Sequence, residues 1–272
     1  MDQKILFLDL DGTLLNDQKE ITPGNRRAIG EALERGHRVV VTSGRPLKSS
    51  LAQARRLGLA GEGCFVIAYN GAVIYDCSAG TEILRRALER DVLYEVFDEA
   101  RRRGVYVQTY DREDVVTEPW AAVDNAKRYC AVIGLEHRVI QDVRRDLEGQ
   151  PVKALLIDYQ RREPLEDMER WVSTALAGRA DCFSSSPYFL EIVAPGMNKG
   201  AAVGALCAHL GVDLKNSVSA GDEGNDISMI RAAGVGVAMA NAIPAVKDAA
   251  DYITQRDNNH DGIEEVIRKF LL

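Results

Sequence analysis

Two aspartates, Asp9 and Asp11, directly follow an apolar run in the N-terminal stretch "KILFLDLDGT". A carboxylate at the end of a buried strand can act as a nucleophile, and a second carboxylate can carry protons for the same reaction. Because side chains alternate along an extended strand, Asp9 and Asp11 can point to the same side. The pair therefore predicts nucleophilic chemistry with proton transfer.

Further residues capable of chemistry follow other predicted strands or begin a predicted helix. They are Ser43, Gly44 and Arg45 in "TSGRP", Lys199 in "NKG", and Asp222, Glu223, Asn225 and Asp226 in "GDEGNDISM". Mg²⁺ prefers oxygen ligands and usually takes only a few carboxylates, which Asp9 and Asp222 can supply. Paired carboxylates with one lysine suit a site that binds a phosphate group together with such a cation. The oxygens of that phosphoryl group would be held by the backbone amides around Leu10 and Gly44 and by Ser43, Lys199 and Asn225. The set predicts Mg²⁺-assisted phosphoryl transfer.

Each motif taken singly also has a structural explanation. The dipeptide Asp11-Gly12 is a common turn signal, and Asp222 or Asn225 can cap a helix. Ser43-Gly44 can be an ordinary loop before a helix that begins with proline, and a lone Lys199 in a first helical turn is usually solvated. Their shared order and their position at strand ends favour a functional site over these separate explanations.

The elements that must position these residues alternate between strand and helix over residues 1–80. A buried strand is predicted at 4–8, and a helix at 23–35 with Thr22 as its cap and Pro23 in its first turn. A second strand, a second helix and a third strand follow, and the third strand turns at Asn70-Gly71 into a hairpin partner. This order predicts an α/β fold with a doubly wound, Rossmann-like parallel sheet, whose ligands bind outside the carboxyl ends of the strands.

The pattern changes over residues 81–190. Helical stretches at about 91–103, 121–129 and 163–177 are mixed with strands that alternate apolar and polar residues. Such strands are typical of an antiparallel sheet with one face covered by helices. We therefore expect an inserted α+β cap domain at 81–190, between core segments at 1–80 and 191–272.

Composition restricts the partners. The net charge of −7 over 272 residues argues against nucleic-acid binding, and the five cysteines are scattered without a CxxC pair. The sequence begins without a leader and has no apolar run long enough to cross a membrane, so we expect a cytoplasmic protein without a membrane partner. The phosphoryl chemistry of the predicted site, and not the composition, implies a small phosphorylated metabolite as the ligand, and we expect a monomer or a small homo-oligomer.

The ordered motifs "DLDGT", "TSGRP", "NKG" and "GDEGNDISM" resemble those of the haloacid dehalogenase-like phosphatases. The element Asn70-Gly71-Ala72, the insertion and the tail "AGVGVAMANAIPAVKDAADYIT" resemble the Cof-type (subfamily IIB) sugar phosphatases, whose cap domain lies in that interval. Ser43 departs from the threonine of many relatives, but it keeps the hydroxyl group. The resemblance covers nearly the whole chain, strongly in the core and weakly in the cap.

The resemblance implies a role for each matching residue. Asp9 would be nucleophile and metal ligand, and Asp11 would be the acid/base that also binds the metal through its backbone oxygen. Asp222 would be the other carboxylate ligand, with Glu223 and Asp226 as outer or additional metal residues. The phosphate would be bound by Ser43, Gly44, Lys199 and Asn225, with Arg45 reaching toward it.

The sequence thus predicts Mg²⁺-dependent hydrolysis of phosphomonoesters of small metabolites, sugar phosphates first, through an aspartyl-phosphate on Asp9. One alternative is a phosphomutase or phosphotransferase, in which the phosphoryl group passes to a sugar hydroxyl instead of water. Another is a non-catalytic phospho-acceptor or sensor module. Asp11, which a sensor does not need for turnover, and the large insertion both favour the hydrolase.

Overall fold

The computed structural model describes residues 3–112, 114–121 and 123–272, without the side chain of Val123. The chain forms two compact units. The core unit combines the segment up to Leu84 with the segment from Asn198, and the inserted unit is Arg85–Met197. The junctions therefore follow Leu84 and Met197, whereas the sequence pattern placed them after residues 80 and 190.

The strands, in chain order, are β1 (Ile5–Asp9), β2 (Arg38–Thr42), β3 (Cys64–Ala68), β4 (Val73–Asp76), β5 (Thr81–Arg85), β6 (Tyr106–Asp111), β7 (Asp114–Thr117), β8 (His137–Val139), β9 (Lys153–Ile157), β10 (Asp181–Ser186), β11 (Phe189–Val193), β12 (Ser217–Gly221), β13 (Val235–Ala238) and β14 (Tyr252–Ile253). The helices are α1 (Pro23–Glu34), α2 (Leu47–Leu57), α3 (Arg90–Arg103), α4 (Val123–Ile133), α5 (Val143–Asp146), α6 (Glu163–Ala175), α7 (Lys199–Leu210), α8 (Ile227–Ala232), α9 (Pro244–Ala249) and α10 (Gly262–Phe270).

The core unit is built on one sheet with the strand order β14-β13-β12-β1-β2-β3-β4-β5. From β14 to β3 the paired strands are parallel, and β4 returns antiparallel to β3 as the predicted hairpin partner. Strand β1 lies between β2 and β12, so Asp9 ends near the middle of the sheet. The α/β fold class predicted from the sequence is confirmed.

The apolar sequence of β1 follows from burial on both faces of the sheet. On one face Phe7 and Ile67 pack in a cluster with Val203 and Leu206 of α7. Because strand side chains alternate, Leu6 and Leu8 point to the opposite face, and they are also fully buried. Burial on both faces explains why β1 is a continuous apolar run up to Asp9.

Helix α1 begins differently from the sequence-based prediction. Thr22 occupies the predicted N-cap position, but its side chain makes no capping bond to the helix. Its hydroxyl instead donates to Asp261 Oδ1 (2.5 Å), and the same oxygen accepts the backbone N–H of Asn25 (3.1 Å). The cap acceptor of α1 therefore comes from a residue more than 200 positions later, which local sequence reasoning cannot identify.

The inserted unit has its own sheet, with the strand order β10-β11-β9-β6-β7-β8. The described pairings are antiparallel except β7 with β8, which is parallel and departs from the expected antiparallel sheet. Its apolar core includes Phe97 of α3, Met168 of α6, and Leu156 and Ile192 of the sheet. No helix in the described ranges is long and apolar enough to cross a membrane.

Candidate active site

The carboxylate of Asp9 lies at the end of β1 and is bonded to a buried lysine. Lys199, the first residue of α7, donates from Nζ to Asp9 Oδ1 and to Asp226 Oδ1, at 2.6 Å each. Lys199 has no exposed surface. Although burial alone would lower it, the carboxylates of Asp226 and Asp9 raise the pKa of Lys199 above its ordinary value. The lysine is therefore a permanent cation beside Asp9.

Asp226 holds the loop that follows β12. Its second oxygen, Oδ2, accepts the backbone N–H groups of Asp222 and Glu223, at 3.0 Å each. A Cβ on Gly221 would lie 2.4 Å from the Asp226 Cβ, so this approach requires glycine. Both oxygens of Asp226 are thus used within the protein, and the residue fixes Lys199 and the backbone of the loop.

Asp222 is directed toward the loop after β1. Its Oδ1 accepts a hydrogen bond from the Thr13 hydroxyl at 2.7 Å. Its Oδ2 lies so close to Gly12 that a Cβ there would be 2.2 Å away, and Gly12 also has a φ of +82°. The glycine of the "DLDGT" motif therefore serves both the turn and the close approach of Asp222.

Three carboxylates share this edge of the sheet. Asp9, Asp222 and Asp226 each offer an oxygen within 4.8 Å of the others. Burial, then Asp226, raises the pKa of Asp9 well above its ordinary value, against the opposing effect of Lys199. Burial also raises the pKa of Asp222 to about 7, with Asp226 and Glu223 adding to the effect. One lysine does not neutralise this group, so the edge attracts a further positive charge.

The donor set fits a hard cation such as Mg²⁺, since it consists of carboxylate oxygens. The described hydrogen bonds use one carboxylate oxygen each of Asp9 and Asp222 but both oxygens of Asp226. Asp9 and Asp222 are therefore suited to direct coordination, and Asp226 to holding the others in place. Glu223, which was also expected at the metal, is exposed and lies outside the three-carboxylate group.

The carboxylate of Asp11 is held by two cations. Its Oδ2 accepts from Arg45 Nη2 (2.8 Å) and Nε (3.2 Å), and its Oδ1 accepts from Lys19 Nζ (2.9 Å). Burial alone would raise the pKa of Asp11, but Arg45 and Lys19 outweigh it and lower the pKa. Asp11 is therefore ionised in this structure and can accept a proton. Arg45, which was expected to reach toward the phosphate, is bonded here to the Asp11 carboxylate.

The loop after β2 carries the predicted hydroxyl and glycine. Ser43 is buried, and its Oγ accepts the backbone N–H of Arg45 at 3.2 Å. Asn225, after β12, donates from Nδ2 to Asn70 Oδ1 at 3.1 Å. The same Asn70 amide lies against Gly44, where a Cβ would be 2.9 Å from Nδ2. The structure thus links Ser43, Gly44 and Asn225 through one further residue.

Three residues of the site were absent from the predicted set. Thr13 bonds Asp222, Lys19 bonds Asp11, and Asn70 bonds Asn225. Thr13 and Asn70 both lie in quoted motifs, so motif membership was an available signal. For Lys19, eight residues beyond Asp11, the sequence offers no comparable signal, because its approach depends on the return of the loop before α1.

The whole chain is similar to known proteins. The sequence profile of the haloacid dehalogenase-like hydrolases matches residues 6–267. The 5-amino-6-(5-phospho-D-ribitylamino)uracil phosphatase YcsE of Bacillus subtilis (strain 168) is 32% identical over 273 residues, covering 100% of this chain and 97% of the relative.

Solved structures are also similar to this chain over nearly its whole length. A haloacid dehalogenase-like hydrolase from Bacteroides thetaiotaomicron superposes with a TM-score of 0.88 at 33% identity, covering 98% of this chain and 99% of the other. The subclass IIB sugar phosphatase BT4131 shares the fold, with a TM-score of 0.82 at 23% identity and coverage of 98% and 99%. The chain therefore belongs to the haloacid dehalogenase-like hydrolases, as its motifs predict, and is a phosphatase of that family.

Proposed function

We propose that this protein hydrolyses phosphomonoesters of small metabolites, sugar phosphates first, through an aspartyl-phosphate on Asp9. The observation that carries the proposal is the carboxylate of Asp9 at the end of the central strand, 2.6 Å from Lys199 and grouped with Asp222. A nucleophilic carboxylate divides hydrolysis into two easier steps. The similarity to a named phosphatase over the whole chain supports the same reaction.

In the first step an oxygen of Asp9 attacks phosphorus, and the bond from phosphorus to the substrate alcohol breaks. Arg45 and Lys19 keep Asp11 ionised in this structure, so Asp11 must leave these bonds and carry a proton, taken from water in the preceding turnover, before this step. It then gives that proton to the departing oxygen. In the second step Asp11, now ionised, takes a proton from the water that attacks the aspartyl-phosphate. Inorganic phosphate leaves, and Asp9 is regenerated as a carboxylate.

Mg²⁺ is the proposed cofactor, with Asp9, Asp222 and the backbone oxygen of Asp11 as ligands. When bound, the ion would supply positive charge that offsets the repulsion between the Asp9 carboxylate and an anionic phosphoryl group. Asp226 is proposed to act on the site through its bonds to Lys199 and the loop after β12. Glu223, being exposed, is proposed only as an outer residue.

The phosphoryl oxygens are proposed to be held by donors that follow three strands and by the first residue of α7. These are the backbone amides near Leu10 and Gly44, the Ser43 hydroxyl, and the side chains of Arg45, Lys199 and Asn225. All of them handle a group that every phosphomonoester shares. Selection among substrates is therefore proposed to come from the inserted unit, which supplies none of these residues.

Release of inorganic phosphate tests the function. The wild-type protein is assayed with an aryl phosphate and a panel of sugar and ribityl phosphates, with Mg²⁺ and with a chelator. We expect Mg²⁺-dependent release from at least one ester, with no phosphorylated isomer accumulating. Stable phosphorylation of the protein without turnover, or inactivity across the panel, would contradict the proposal.

The metal role makes a separate prediction for stability. Because the folded-state pKa of Asp222 is about 7 against an ordinary 3.8, its ionisation destabilises the metal-free protein, and this loss of stability builds up as the pH rises from about 4 to about 7 and is complete above that. We expect Asp222→Asn, which keeps the acceptor for Thr13, to stabilise the protein at pH 8 in a chelator by on the order of 1–4 kcal/mol. The variant is expected to lose most of the Mg²⁺-induced rise in Tm.

Thermal unfolding of the wild type and of Asp222→Asn, each measured with a chelator and with millimolar Mg²⁺, gives the four Tm values that test this prediction. The exposed Asp213→Asn serves as the control, and it is expected to behave like the wild type. A variant that is less stable in chelator, or that retains the full Mg²⁺ response, would contradict the metal assignment.

A further inference from the structure

Asn70 is a buried amide in an unusual backbone conformation beside the phosphate-binding residues. It lies in the turn between β3 and β4, with a φ of +54° and only 1% of its surface exposed. Asparagine is among the few residues that adopt this left-handed region readily. The turn alone would explain an exposed asparagine or glycine, but it does not explain a buried amide side chain.

The contacts of Asn70 join two separate parts of the site. Its backbone N–H donates to the carbonyl of Ser43 (3.1 Å), and its Oδ1 accepts from Asn225 Nδ2 (3.1 Å). Its side chain also fills the space beside Gly44 in which a Cβ would otherwise lie. One residue of the β3–β4 turn therefore touches the loop after β2 and the loop after β12.

The Nδ2 group of Asn70 is buried and has no hydrogen-bond partner among the described residues. Leaving a buried donor unpaired is costly, and such groups usually indicate a function or an absent partner. This donor lies next to Gly44, whose backbone amide belongs to the proposed phosphate-binding set. The position therefore favours a role in anion binding over a purely structural one.

We propose that Asn70 is a positioning residue for phosphate binding, an inference that rests on the proposed function. The amide nitrogen of Asn225 carries two hydrogens, and Asn70 Oδ1 accepts one of them. That bond fixes the plane of the Asn225 amide and leaves the second N–H for a phosphoryl oxygen. The contact with Gly44 holds the loop after β2. Asn70 therefore fixes the position of the donors of that loop relative to Asn225.

The variant Asn70→Gly separates this role from that of the turn. Glycine adopts the same left-handed backbone and keeps the bond to the Ser43 carbonyl, so only the amide side chain is lost. We expect a Tm within a few degrees of the wild type but an affinity for inorganic phosphate at least about tenfold lower, in line with lost charge-assisted hydrogen bonding. Asn70→Asp, which places a carboxylate where the donor was, is expected to weaken phosphate binding further.

Calorimetric titration of the Mg²⁺-loaded full chain with inorganic phosphate gives the affinity without turnover. Arg112→Gly is the control, since it places glycine at a left-handed turn residue of the inserted unit. Asn225→Ala and the double variant Asn70→Gly/Asn225→Ala complete a double-mutant cycle. Because Asn70 is proposed to act partly through Asn225, we expect the loss of phosphate affinity in the double variant to be smaller than the product of the two single losses.

Two outcomes would overturn the inference: wild-type affinity in Asn70→Gly, or fully multiplicative losses in the double variant. A failure of the proposed function looks different, because the wild type itself would then release no phosphate from any ester. An active wild type with an unaffected Asn70→Gly variant removes only the role of Asn70.

Discussion

Replacing Asp9 with asparagine is expected to lower kcat by at least about 10⁴-fold, as the loss of a covalent nucleophile does in other hydrolases. The amide is nearly isosteric but cannot attack phosphorus. Since the new side chain still offers an amide oxygen to Lys199, we expect the fold to persist. Steady-state phosphate release and thermal unfolding of the same preparation measure both effects.

The control for this experiment is Asp76→Asn, at the end of β4 in the same unit. Its Oδ1 accepts the backbone N–H groups of Ser78 and Ala79, and asparagine can accept both. We expect full activity from that variant. Retention of activity within about tenfold of wild type by Asp9→Asn, measured on protein free of deamidated product, would remove Asp9 as the nucleophile.

The second large effect is expected for Lys199→Met. Methionine fills a similar volume, but it leaves Asp9 and Asp226 facing each other in a buried site without their shared cation. Removing one partner of a buried ion pair typically costs about 3–5 kcal/mol. We therefore expect a marked loss of stability in urea unfolding, together with a loss of kcat/KM of at least about 10³-fold, from lost charge stabilisation of the phosphoryl group.

A second substitution separates stability from catalysis. Asp226→Asn added to Lys199→Met removes one of the two uncompensated charges and keeps an oxygen for the backbone N–H groups of Asp222 and Glu223. We expect the double variant to regain a large part of the stability and none of the activity. Lys215→Met, which breaks an exposed pair with Asp213, is the control and is expected to unfold at nearly the same urea concentration as the wild type. If Lys199→Met is as stable as that control, the buried network does not support the fold.

The core of the fold could be predicted from local sequence because its signals are strong and local. Strand β1 is a continuous apolar run, α1 begins at Pro23, and the β3–β4 hairpin turns at Asn70-Gly71. Except for Lys199, which begins α7, the predicted site residues follow strands, and parallel strands bring those ends to one edge of a sheet. The order of the strands is therefore enough to predict that these residues share one edge of the sheet.

The features that could not be predicted depend on contacts between distant segments or on very short elements. Neither β8 nor α5 is predicted from the sequence. Strand β8 has three residues and α5 has four, too few for a period to be recognised. The capping of α1 by Asp261 and the pairing of Asp11 with Arg45 and Lys19 likewise require the folded chain. Local sequence patterns predict helices and strands, but which polar side chains bond to each other depends on the tertiary structure.

The position of β1 between strands from both ends of the chain has a consequence for synthesis on the ribosome. Thr13 and Asp222, which share a hydrogen bond, are 209 residues apart, or about 10–40 s at ordinary elongation rates. During that interval β1 can pair with β2 but not with β12, which has not yet been made. Its other edge stays open to unwanted partners while Arg85–Met197, a continuous segment, can already fold. A chain that stops before β12 therefore leaves one edge of β1 without its native partner strand.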